Sequence, residues 1–147
     1  LVPDPPGVLT SNAGWDTLKQ KDFLKEIISE FKAAGIRTSI FVDTETVNIE
    51  NAVETGTDRI ELYTGPYADN FTNNNETAIF SYTKASELAT KLRLGINAGH
   101  DLNLDNLSYF QKNTSNLLEV SIGHALICDS LYFGLENTIE KYLSCLE

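Results

Sequence analysis

The 147-residue chain contains no methionine, one tryptophan and two histidines. Its two cysteines, Cys128 and Cys145, form no Cys-x-x-Cys pair. That argues against a disulfide scaffold and against thiolate metal sites. Both cysteines lie in apolar, helix-like surroundings and read as buried free thiols. No apolar run approaches the roughly 20 residues of a membrane-spanning helix. Positive charge is scarce, with 11 basic against 21 acidic residues and a net charge of −10. Nucleic acid and anionic membrane are therefore poor partners. Neither G-x-G-x-x-G nor G-x-x-x-x-G-K-[ST] occurs, so nothing points to a nucleotide cofactor. Nothing points to metal chemistry either, and the composition reads as cytosolic.

What is present is a core-forming chain, 41% hydrophobic, long enough for one ordinary domain over residues 1–147. Both histidines follow a glycine at the end of a short apolar run. One lies in Leu94-Gly95-Ile96-Asn97-Ala98-Gly99-His100, the other in Leu118-Glu119-Val120-Ser121-Ile122-Gly123-His124. Each precedes a helix-like stretch. In a β/α barrel the loops after the strands build the active site. A glycine there lets backbone N–H groups at a helix start approach a phosphate, without any Lys or Arg.

The pattern along the chain supports that setting. Leu1-Val2 reads as a strand end, followed by a Pro-rich loop from Pro3 to Gly14. Phe23, Leu24, Ile27, Ile28, Phe31 and Ala34 share one helical face, with a stop at Gly35. Arg37–Val42 is a strand ending in Asp43, Thr44-Glu45-Thr46 a helix cap, and Val47–Glu54 a short helix stopped at Gly56. Arg59–Tyr63 is a strand followed by a turn at Thr64-Gly65-Pro66 and a polar loop over Asn70–Asn75. A helix from Glu76 to Leu92, a strand from Leu94 to Asn97 and a helix from Leu104 to Gln111 come next. The strand Leu118–Ile122 and helices over Ala125–Phe133 and Leu135–Leu146 complete the order. Strict alternation predicts βαβ units and a parallel sheet of about five strands. The extra helix after the last strand favours a (β/α)8 barrel, where it clamps phosphate. A domain rarely starts at the end of its own strand, so the chain reads as the C-terminal portion of such a barrel.

Five strings together resemble the pyridoxine 5′-phosphate synthase family. They are Leu1-Val2-Pro3 with Thr10 downstream; Ala34-Gly35-Ile36 leading to Ser39-Ile40-Phe41-Val42-Asp43; Ile60-Glu61-Leu62-Tyr63-Thr64-Gly65-Pro66-Tyr67-Ala68; Asn97-Ala98-Gly99-His100-Asp101-Leu102; and Ser121-Ile122-Gly123-His124-Ala125-Leu126-Ile127. Their order and spacing match the family from the end of the fourth strand onward. The resemblance implies a TIM barrel and a cytosolic homo-octamer. It implies condensation of 1-deoxy-D-xylulose 5-phosphate with 3-amino-2-oxopropyl phosphate, releasing phosphate and water, with no cofactor or metal.

By position, the resemblance makes His100 the proton donor and Glu61 the group that stabilises the transition state. Imidazole can give and take protons near neutrality, and a carboxylate suits iminium-like intermediates. Gly123 and His124 match the family's phosphate-binding pair, and Thr10 a substrate-contacting threonine. Asp101 stands where the family often has a glycine whose amide meets phosphate; its side chain must turn away, or cap the following helix. The family's two general bases lie on the first three strands, outside the matched strings. The chain alone is therefore expected to be inactive and poorly stable. An aldolase of the Schiff-base type is disfavoured, because Asp43, Tyr63, Asn97 and Gly123, not lysine, mark the strand ends. The alternative is a non-catalytic half-barrel that binds phosphate esters or serves in assembly.

Overall fold

In a computed structural model describing residues 1–147, helices and strands alternate along the chain. Helix α1 (Lys21–Ala33) leads to strand β1 (Ser39–Val42), α2 (Thr46–Thr55) and β2 (Arg59–Tyr63). Two helices follow, α3 (Gly65–Phe71) and α4 (Asn75–Lys91), then β3 (Gly95–Gly99) and α5 (Leu107–Asn113). Strand β4 (Leu117–Ser121), α6 (His124–Phe133) and α7 (Leu135–Ser144) complete the chain. The four strands pair in parallel in the order β1-β2-β3-β4. Sequential parallel strands joined by helices are the repeating unit of a TIM barrel, here present in part.

The fifth strand expected at Leu1-Val2 survives as one paired residue. The Leu1 amine donates to Ser39 O at 2.7 Å, and Phe41 N donates to Leu1 O at 2.9 Å. This is the slanted ladder of a parallel pair, continued one strand beyond β1. A single residue is too short to count as a strand.

Strand periodicity divides the sheet into two unlike faces. Ile40, Val42, Ile60, Leu62, Ile96 and Ala98 are fully buried. They join Leu24, Ile28, Ile49, Ala52, Ile79 and Ala89 from the helices in one apolar core. Phe41, Glu61, Asn97 and Glu119 lie side by side in register on the other face. In a closed barrel that face is the interior. A register shift after Ile96 admits one extra residue, Leu118, into β4.

Several local readings change in the folded chain. The expected turn at Pro66 is instead the start of α3, because proline's fixed φ suits the first helical turn and needs no N–H partner there. Asn74 then caps α4, its Oδ1 accepting from Thr77 N at 2.9 Å. The side-chain cap expected from Thr44-Glu45-Thr46 does not form; Asp43 instead ties the turn before α2, its Oδ1 accepting from Glu45 N and from Asn48 Nδ2, both at 3.0 Å. On α1 only Leu24 and Ile28 of the six apolar positions are fully buried. Phe23 stays half-exposed, tilted against Trp15 with ring centres 6.0 Å apart.

The cysteines are the clearest correction: Cys128 is exposed and Cys145 only half-buried, both as free thiols. Cys128 sits on α6, which has no buried residue at all. Its apolar sequence signals burial, but α7 packs against one side of it only, and Leu131 and Tyr132 are among the most exposed side chains. No helix is long and apolar enough to cross a membrane.

Asp58 stitches the starts of β1 and β2 together. Its Oδ2 accepts from Thr38 N at 2.8 Å and from Thr38 Oγ1 at 3.1 Å, while Lys32 Nζ lies 3.1 Å from Oδ1. The Thr38 amide, then Lys32, hold the carboxyl below its ordinary value of 3.8. A lowered folded-state pKa stabilises the fold above the unfolded value and loses that effect as pH falls. Asp58→Asn should therefore lower Tm at neutral pH. Its gap to the parent should narrow as the pH drops below about 4. A gap that stays constant across an acid titration of Tm would contradict this reading.

Candidate active site at the strand ends

Parallel pairing brings all four strand ends to one rim. Tyr63 aligns with Gly99, and Gly99 with Ser121. His100 leaves β3 one residue past Gly99, and Gly123 and His124 follow β4 at the same rim. Glu61 lies on β2, on the face opposite Ile60 and Leu62, as their alternation predicts.

His100 Nε2 lies 3.9 Å from Glu61 Oε1. This exceeds a direct hydrogen bond but is close enough for each group to feel the other's charge. Both side chains are mostly buried, 35% and 20% exposed, so solvent screens them only partly. Gly99 makes the approach feasible. A Cβ there would fall 2.8 Å from both Glu61 Oε1 and Ser121 O, so any side chain would displace the carboxylate or the backbone.

The other interior carboxylate is already neutralised. Glu119 Oε2 meets Arg37 Nη2 at 3.0 Å, and Arg59 Nη1 pairs with the same oxygen. Arg59 Nη1 also donates to Asn97 Oδ1 at 3.1 Å. Both arginines therefore satisfy Glu119, and the only basic side chain within ion-pair reach of Glu61 is His100. That leaves Glu61's charge directed at the rim. The Arg37–Glu119–Arg59–Asn97 network was not foreseen from the sequence. Its signal was the strand period, which puts Arg59 and Glu61 on one side of β2.

Aromatic rings line the rest of the rim. Phe41 stacks on the His100 imidazole, with ring centres 4.9 Å apart and planes at 27°. Tyr63 tilts against Phe41 at 5.5 Å and folds back over Gly65, where a Cβ would lie 2.3 Å from the phenol oxygen. Desolvation, then the charges of Asp101 and Asp69, push the Tyr63 phenol up from its ordinary value. Tyr82 reaches from α4 to donate to Tyr63 O at 2.8 Å, pinning the end of β2.

The remaining expected site residues sit as follows. Gly123 is the residue before α6, its carbonyl accepting from Ile127 N at 3.1 Å, and His124 is exposed in the first turn. First-turn N–H groups of a helix lack intrahelical acceptors. Asp101 is exposed just past His100, and its main-chain oxygen accepts from Asn106 Nδ2 at 3.2 Å. It does not cap the next helix. No side chain caps α5; in the turn before it Asn103 Oδ1 accepts from Asp105 N and Asn106 N, and Asn106 Oδ1 accepts from Asn103 N. Thr10 is exposed in the loop before α1 and makes no hydrogen bond. The structure brings His100 and Glu61 together.

A parallel β/α sheet with its polar side chains gathered at the C-terminal rim is the arrangement of barrel enzymes. The family model described as Pyridoxal phosphate biosynthesis protein PdxJ matches residues 1–147, and the chain belongs to that family. It is 61% identical to a Cytophaga hutchinsonii protein over 97% of its own length and 60% of the relative's. Against a Flavobacterium johnsoniae protein it is 57% identical over 100% and 62%. Against one from Porphyromonas gingivalis it is 59% identical over 97% and 60%. All three are named pyridoxine 5′-phosphate synthase. The chain thus spans about three fifths of the length of the curated relatives it matches.

Proposed function

We propose that the chain works as the part of a pyridoxine 5′-phosphate synthase that carries the His100–Glu61 pair. The reaction is condensation of 1-deoxy-D-xylulose 5-phosphate with 3-amino-2-oxopropyl phosphate to close the pyridoxine ring, with release of phosphate and water. The observation that carries the reading is the 3.9 Å approach of imidazole to carboxylate at the rim. Imine formation and dehydration need proton transfers, which His100 supplies. The intermediates pass through cationic, iminium-like states, which the otherwise unpaired Glu61 stabilises.

The exposed amides at Gly123 and His124, at the start of α6, hold a substrate phosphate. The amide of Asp101 assists, its carboxylate turned to solvent, and Thr10 closes on substrate from its loop. The working protein is a cytoplasmic homo-octamer that needs no cofactor, with residues 1–147 as one portion of its barrel.

The test uses a chimera in which this chain replaces the matched segment of the Cytophaga hutchinsonii protein. The chimera should form pyridoxine 5′-phosphate from the two substrates, and the 147-residue chain alone should form none. A folded chimera without product, assayed by chromatography, would refute the proposal.

A further inference from the structure

An active-site imidazole is usually oriented by a hydrogen bond to its second nitrogen. His100 has no such bond. Its Nδ1 is buried and without a partner. Nε2 is 3.9 Å from Glu61, too far to fix the ring. Rotation about the side-chain torsions would exchange the two nitrogens, and no polar contact opposes it. Packing must therefore supply the orientation.

Phe41 supplies the face. It is the aromatic ring stacked on His100, at 4.9 Å and 27°, and it is 1% exposed. Its own position is secured on both sides of the backbone. Phe41 N donates to Leu1 O at 2.9 Å, and Trp15 N donates to Phe41 O at 2.8 Å. The sheet register places it directly beside Glu61. Tyr63 tilts against the same ring at 5.5 Å.

We propose that Phe41 is a positioning residue, holding the His100 imidazole by stacking so that Nε2 faces Glu61. This rests on the synthase reading only for its kinetic consequence. The stacking itself is testable without turnover.

In the chimera, Phe41→Leu should lower kcat about tenfold or more, with KM for each substrate changed less than about twofold. Phe41→Tyr keeps the aromatic face and should stay close to the parent. With histidine rings isotope-labelled and His100 assigned by its loss in His100→Gln, His100 ring protons should resonate upfield of those of exposed His124. In Phe41→Leu that displacement should vanish and the His100 signal should broaden or split. Parent kcat in Phe41→Leu, or a loss carried by KM alone, would overturn the proposal. So would His100 ring protons without upfield displacement in the parent, a reading that needs no Phe41 variant to fold. A parent chimera that forms no product while the displacement persists, and depends on Phe41, counts against the synthase reading and for the stacking role.

Discussion

His100→Gln in the chimera should lower kcat by about a hundredfold or more while KM changes little. Positioned acid–base groups contribute that much to proton transfer. Glutamine keeps the bulk and a hydrogen-bonding head but cannot shuttle a proton. The geometry supplies an internal control. His100 and Glu61 face each other at 3.9 Å, so their effects should not be independent. The His100→Gln, Glu61→Gln double variant should lose less than the product of the two single losses, because each single change already disables the pair. Steady-state kinetics of the four proteins measure this directly. Multiplicative losses would mean that the two side chains act on separate steps.

Phe110→Ala should cost about 3–5 kcal/mol of stability, the range for deleting a buried aromatic ring. Phe110 has no exposed surface. Its ring meets Tyr67 at 5.0 Å and Tyr82 at 5.5 Å, both edge-on. Burial drives both phenols well above their ordinary pKa. They remain neutral hydrogen-bond donors, Tyr67 to Asn106 O at 2.7 Å and Tyr82 to Tyr63 O at 2.8 Å. A cavity at Phe110 would therefore loosen the anchor at the end of β2 as well as the core. Urea denaturation of the chimera reads the loss. A cost below about 1 kcal/mol would mean that the neighbouring rings collapse into the space.

The α/β alternation and the placement of the candidate pair at the rim were legible in the sequence for different reasons. The strand Arg59–Tyr63 has one face made of Ile60 and Leu62, and that period alone sends Glu61 to the other side. His100 was legible because histidine is rare here and both copies follow glycine at a strand end. Boundaries set by local chemistry were legible too. Gly56 ends α2 with φ +80, and Gly35, with φ +73, follows the end of α1.

Phe41 was not legible as a site residue. Between Ile40 and Val42 it reads as ordinary core, since hydrophobicity does not reveal which face of a strand an aromatic takes. Only pairing with Glu61 across the sheet, and the return of the chain to His100 about 60 residues later, give it a role. Cys128 failed in the opposite direction. Its apolar neighbours suggest burial, but α7 packs along one side of α6 only and leaves Cys128 on the open side.

The sequence by itself determined the order of elements, the parallel sheet and the residue types at the rim, because period, caps and strand-end glycines act over a few residues. Only the tertiary structure decided which carboxylate is left without a guanidinium partner at the rim. Glu61 and Glu119 look alike in sequence, each a lone acid in an apolar strand. Parallel register sets Arg37 and Arg59 against Glu119 and leaves His100 to Glu61. Charge pairing over such separations depends on distance in the folded sheet, which local sequence does not encode.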